Sequence, residues 1–157
     1  HVAPRTRYLV LTEPVPARIR AGLGARDLLV RDSAEPAHQI SWVDGERLLV
    51  GGADAAPVAA QRRDAVLVQR TGQLMYELST FYPEISGLMP AYGWDITSAA
   101  TPHGLPVIGP HRNYPHHLFA FGDMSQGVTG AYLASRILLR QHAGDEHPAD
   151  GAFGFAR

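Results

Sequence analysis

The sequence predicts an α+β fold: a mixed, mainly antiparallel sheet carrying a long packed helix, followed by a strand, a loop and a second helix. Three observations predict it. Residues 7–50 alternate apolar and polar side chains around an Asp-Gly turn. Residues 57–81 repeat apolar side chains at helical spacing, and residues 118–141 pass from a short apolar run through a glycine-rich turn into a second helical pattern.

Taken in order, Arg7 to Thr12 and Leu28 to Arg31 read as strands, with Pro14 and Pro16 breaking the sheet between them and Ala17 to Leu23 forming a short helix that Gly22 and Gly24 stop. Gln39 to Val43 and Arg47 to Val50 flank Asp44-Gly45-Glu46, a hairpin signal in which the glycine supplies positive φ. From Pro57 to Phe81, Val66, Leu67, Leu74, Leu78 and Phe81 recur at helical intervals. Pro83 ends that helix, and the Tyr, Trp, Ile and Thr of residues 92–99 return the chain to strand. Thr101 to Pro110 is predicted as a loop, Leu118 to Phe121 as a buried strand, and Val128 to Gln141 as a helix so apolar that it needs a cover.

Composition narrows the function. A chain of 157 residues, 45% hydrophobic, is long enough for one well-buried core. A net charge of -1, with 14 scattered basic residues, gives no electrostatic footprint for nucleic acid. Without cysteine, disulfides, thiolate catalysis and cysteine-based zinc sites are excluded, and a cytoplasmic location is expected. No apolar run is long enough to span a membrane. The first residue is His1, and a strand begins a few residues later, so the chain is expected to be a piece of something longer.

Two stretches lay backbone bare. Thr101-Pro-His-Gly-Leu-Pro-Val-Ile-Gly-Pro110 packs three prolines and two glycines around a short apolar core. Gly122-Asp-Met-Ser-Gln-Gly127 leads from a strand into a helix opening at Val128-Thr129-Gly130, whose first N–H groups lack intrahelical partners and favour an anion or an electron-rich ring oxygen. By itself the second stretch reads as a strand-to-helix turn. In this order and spacing the two resemble the C-terminal part of the FAD-dependent amine and D-amino-acid oxidoreductases, the family of glycine oxidase, sarcosine oxidase and D-amino-acid dehydrogenase. The likeness is strongest from Tyr92 to Arg140, and Tyr8-Leu-Val-Leu-Thr-Glu-Pro14 resembles the strand that opens the family's substrate domain.

The resemblance implies that Thr101, Pro102, Gly104, Leu105 and Pro106 lie beside a flavin, and that Gly127, Val128 and Thr129 offer N–H groups to its N1 and C2 carbonyl edge. It implies oxidation of a small amine or amino acid by hydride transfer from the α-carbon to flavin N5, leaving an imine for water to hydrolyse. Tyr8, Trp42, Tyr92 and Trp94 are the candidates for the substrate cavity, and no catalytic residue is assigned. Residues 1–99 correspond to the substrate-binding region, 100–145 to the flavin-contacting segment that completes an FAD-binding domain, and 146–157 to a tail.

The sequence also departs from the family pattern. His103 stands where the family usually has Asp, and Tyr92 to Ile96 lack the arginine with which several amino-acid oxidases clamp a carboxylate. The only Gly-x-Gly, Gly22-Leu-Gly24, follows no apolar strand, so the dinucleotide fingerprint of the N-terminal domain is missing and tight FAD binding by this chain alone is not expected. His111, His116 and His117 read as a solvated loop rather than a metal site, and Ser125 lacks the nucleophile elbow of a serine hydrolase.

Two expectations result. In one, the chain is the C-terminal portion of a flavin amine oxidoreductase, active only when the same or a partner chain supplies the FAD-binding domain. In the other, it is a noncatalytic module that self-associates as a homo-oligomer through its former cofactor face.

Overall fold

The computed structural model describes residues 3–122, 127–145 and 147–155. The elements run β1 (Ala3–Thr12), α1 (Ala17–Arg20), β2 (Leu29–Arg31), β3 (Gln39–Val43), β4 (Arg47–Ala55), α2 (Arg63–Phe81), β5 (Pro90–Ala100), β6 (Val107–His111), β7 (Tyr114–Phe121) and α3 (Gly127–Ala143). Short 3-10 turns precede α2 at Ala60–Arg62 and follow α3 at Asp150–Phe153. The chain divides into two units, Thr6–Thr97 and the chain ends His1–Arg5 with Ser98–Arg157. The mixed α+β content with antiparallel pairing is as the sequence predicts.

In the first unit five strands lie in the order β2-β3-β4-β1-β5. β2 with β3, β3 with β4, and β4 with β1 pair antiparallel. The predicted Asp-Gly turn joins β3 to β4 through the three residues Asp44 to Glu46, with Asp44 and Gly45 left-handed at φ 52° and 66° and the Glu46 N–H donating to the Val43 carbonyl at 3.1 Å. β4 extends five residues beyond the predicted Val50. Its irregularity falls at Ala53, where φ is 51° and the register shifts from Tyr8 opposite Gly52 to Thr6 opposite Ala55.

One face of this sheet is covered by α2. Tyr8, Val10, Ile40, Leu48 and Val50 meet Leu74 and Leu78 in a core from which all seven are excluded from water. Burying each leucine contributes about 1.5–3 kcal/mol, so helical period and strand period support each other here. Gly52 lets the helix approach, since a Cβ there would stand 3.3 Å from Leu74 Cδ2 and 2.9 Å from His38 Cδ2. At the sheet end the buried Thr12 Oγ1 accepts from the Leu48 N–H (3.0 Å) and donates to the Glu13 carbonyl (2.8 Å), which satisfies a polar group inside the core.

In the second unit β6 and β7 form an antiparallel ribbon against α3, with Ile108, Ala134 and Ile137 at its centre. This corrects the loop predicted for Thr101 to Pro110: only its first half is a turn, and Val107 to Pro110 is strand. Pro110 fits because each strand of a two-stranded ribbon has an unpaired edge, where a missing N–H costs nothing. The three histidines expected in a loop accordingly lie in strands, His111 in β6 and His116 and His117 in β7. Among the described residues, no helix is long and apolar enough to cross a membrane, and no cluster of three metal-binding side chains occurs.

Candidate functional site

The turn between β5 and β6 is closed by its own residues. The Thr101 hydroxyl donates to the Leu105 carbonyl at 2.8 Å, the Gly104 N–H donates to the Thr101 carbonyl at 3.3 Å, and Gly104 takes φ 65°. Thr101, Pro102, Gly104, Leu105 and Pro106 therefore form one rigid corner. Its far side meets Gly122 at the end of β7, which brings the beginning of the second glycine-rich stretch against the first.

The tail joins this corner. Ala152 to Phe155, Thr101 to His103 and Leu105 to Val107 line a cavity of about 80 Å³. Phe155 meets His111, Phe119 and Phe121 with ring centroids 5.1, 5.9 and 5.5 Å apart, and Phe153 packs against the Ile108 core. A forked ion pair of Arg140 with Asp150 ties the tail to α3. Sequence reasoning assigned residues 146–157 no part in the site. The available signal was the pair of phenylalanines in an otherwise polar end.

Gly127, Val128 and Thr129 open α3 and are exposed, Val128 at 89%. A Cβ on Gly127 would touch nothing within 4 Å. Asp123 and Ser125, noted in the sequence, lie outside the described residues. On α3 only Ala134 and Ile137 are buried, while Tyr132 and Leu139 join Val128 in exposing apolar surface, so the cover that the sequence calls for is not provided by the described part of this unit.

The four candidate aromatic residues are divided between the two faces of the sheet. Tyr8, 2% exposed, and the half-buried Trp42 lie on the helix side, where the Arg70 guanidinium stands 5.8 Å above the Tyr8 ring. In β5 the helix side is marked by Gly93 against Thr71, by the ion pair of Asp95 with Arg63 (2.8 Å), and by Thr97 sharing a hydrogen bond with Thr6 (3.1 Å). Strand alternation therefore turns Tyr92, Trp94 and Ile96 to the opposite side, together with Leu9, Leu11 and Leu49. Tyr92 is 67% exposed there. Arg7, which sequence reasoning passed over, also borders this side. Its guanidinium donates to the carbonyls of Ala37 (2.9 Å) and Gly51 (3.4 Å), and its Nε lies 3.6 Å from Asp54.

A family model described as FAD dependent oxidoreductase matches residues 1–141. The chain belongs to this family. Among solved structures, this FAD-dependent oxidoreductase chain is similar to glycine oxidase from Geobacillus kaustophilus (TM-score 0.71, 19% identity), covering 99% of this chain and 39% of that one. It is similar also to L-proline dehydrogenase from P. horikoshii (TM-score 0.72, 14% identity), with 98% and 39% covered. Iminodiacetate oxidase from Chelativorans sp. BNC1 gives a TM-score of 0.69 at 14% identity, again with 98% and 39% covered. At these identities the likeness is one of fold, and the chain spans about two fifths of each of these proteins. No curated protein sequence matches it.

Proposed function

We propose that this chain is the substrate-binding and flavin-capping part of an enzyme that oxidises the C–N bond of a small amine or amino acid. It acts only with an FAD-binding domain supplied by the same chain or a partner. The observation that supports this reading is the approach of Thr101 to Gly122, which brings the first residue of the second stretch against the first stretch within one unit. Residues 1–99 would form the substrate-binding region, 100–145 the flavin-contacting segment and 146–157 its tail.

The residues present fit FAD in shape and chemistry. Gly127 leaves open space for a flat group, and the first N–H groups of α3, those of Gly127, Val128 and Thr129, suit an electron-rich edge that gains negative charge. Thr101, Pro102, Gly104, Leu105 and Pro106 offer a rigid border. The cavity of about 80 Å³ beneath that border is too small for the cofactor, since such pockets run to roughly 300 Å³ or more; the flavin would therefore lie against the outer surface. When bound, FAD supplies the two-electron oxidant. Tyr92 and Trp94 would then shape an aromatic wall for the substrate, and Tyr8 and Trp42 would support the sheet from behind.

The exposed Val128, Tyr132 and Leu139 favour a second reading, self-association of a noncatalytic module. Gel filtration with FAD, before and after adding the nucleotide-binding domain of a relative, separates the two. Co-eluting flavin and amine oxidation only after the addition support the first reading. A colourless oligomer that ignores the added domain supports the second.

A further inference from the structure

His38, the residue before β3, has both ring nitrogens on carboxylates. Nδ1 lies 2.6 Å from Asp32 Oδ2, and Nε2 lies 3.0 Å from Glu77 Oε2 on α2. A neutral imidazole has one N–H and one lone pair, and an ionised carboxylate has no proton to offer. Both contacts are hydrogen bonds at the same time only when the ring is an imidazolium. A neutral ring would turn a lone pair toward one of the carboxylates.

The other groups around the ring fix it in place. Asp32 Oδ1 also accepts from the N–H groups of His38 (2.8 Å) and Ala34 (3.3 Å), so one carboxylate closes the whole 32–38 loop. From α2, Glu77 accepts from Gln73 Nε2 at 2.8 Å, Gln73 accepts from Arg70 at 2.7 Å, and the Phe81 ring meets the imidazole edge-on at 5.4 Å. From β4, Gly52 leaves only enough room for the ring. Arg7 on β1 donates to the Ala37 carbonyl beside His38 at 2.9 Å, and its Nε lies 3.6 Å from Asp54 on β4. A cavity of about 200 Å³ lies beside Asp32 and His38, walled by Val30, Ile40, Phe81 and Tyr82, and gives the ring space to move.

We infer that His38 is a pH-operated latch: charged, it pins the 32–38 loop to α2, and on losing its proton it releases the loop and with it the Ala37 carbonyl that orients Arg7. Burial alone would lower the basicity of His38, but the hydrogen bonds and charges of Asp32 and Glu77 outweigh it and raise the imidazole above its ordinary 6.5. Burial likewise pushes Asp32 up, and the His38 ring and backbone bonds bring it below its ordinary 3.8. A raised histidine stabilises fully below 6.5 and loses its contribution as pH rises through the raised value. A lowered aspartate contributes above 3.8 and loses its part as pH falls through the lowered value. The latch is thus closed in mildly acidic solution and opens on the alkaline side. Because Arg7 borders the side of the sheet that carries Tyr92 and Trp94, the effect on substrate rests on the function proposed above, whereas the latch itself does not.

An NMR titration of the whole chain, read at the His38 ring and at the His38 and Ala34 amides, tests it without flavin. The ring should titrate above 6.5 and shift downward in Glu77→Gln, which keeps the bond to Gln73 available. Exchange of the His38 amide should rise on the order of tenfold beyond its intrinsic increase with pH as the ring loses its proton. A ring that titrates at or below its ordinary value in both proteins, or loop amides whose protection does not follow the ring, would overturn the latch and leave the flavin assignment standing.

Discussion

Gly122 approaches Thr101 so closely that a Cβ built on the glycine would lie 2.5 Å from the threonine Cγ2, and its φ of 88° disfavours any other residue. Gly122→Ala should destabilise the fold by about 1–3 kcal/mol in denaturant unfolding. Adding Thr101→Ser, which removes Cγ2, should restore part of that loss and leave the backbone penalty. Equal stability of Gly122→Ala and the parent chain would show that the two stretches do not press together.

Gly127 provides the opposite case. Its Cβ position is open, so Gly127→Ala should leave stability within about 0.5 kcal/mol. If a flat cofactor lies there, flavin binding with the FAD-binding domain supplied should weaken roughly tenfold, equivalent to about 1.4 kcal/mol. Unchanged flavin affinity would move the cofactor away from the start of α3.

The division of the sheet faces predicts different outcomes for two tryptophans. Trp42→Ala should cost about 1–3 kcal/mol of stability, because the ring packs on the helix-side core. Trp94→Ala and Tyr92→Ala should change stability little and instead raise KM for the amine in the complemented enzyme. A stability loss from Tyr92→Ala as large as from Trp42→Ala would contradict the assignment of faces.

Leu74 and Leu78 are fully buried, and Tyr76 between them is 71% exposed. Leu74→Ala should cost about 2–5 kcal/mol, whereas Tyr76→Ala should stay within about 0.5 kcal/mol. Denaturant midpoints measured on the two variants test whether α2 presents the face described.

The tail should detach in acid. The hydrogen bond from Arg140 lowers Asp150 below its ordinary 3.8, so docking persists above that value and is lost as pH falls through the lowered one. The protection of residues 150–155, their exchange corrected for its intrinsic dependence on pH, should be flat between pH 7 and 5 and fall below 3.8 toward that of Arg140→Gln. A tail that detaches at neutral pH would show that the ion pair does not hold it.

Much of this was legible in the sequence because period and turn chemistry agreed. Asp44-Gly45 fixed the hairpin, the spacing of Leu74 and Leu78 fixed the buried side of α2, and the two glycine-rich stretches pointed to the family. The misses have physical causes. Gly109 and Pro110 read as breakers because strand propensity assumes two paired edges, which a ribbon strand does not have. Gly51 and Gly52 weakened the predicted end of β4, although the close approach of Leu74 and His38 is what makes glycine necessary at Gly52. The four aromatic residues were grouped by type, whereas the alternation of β1, β3 and β5 separates them by side, which needs a register that no single strand reveals. His38 looked unremarkable because its two carboxylates come from a loop and a helix far along the chain.

The irregularity at Ala53 has an evolutionary consequence. In a regular strand, losing one residue exchanges the two sides of everything beyond it. At this point the register already holds one residue more than the partner strand: Ala53 is buried on the helix side next to Gly52, Asp54 faces Arg7, and Ala55 returns to the helix side. Deleting Ala53 would restore plain alternation without inverting Asp54 or Ala55, sacrificing one methyl group and some twist. Here, unlike elsewhere in β4, the gene can shorten by one codon and keep the inside of the protein inside.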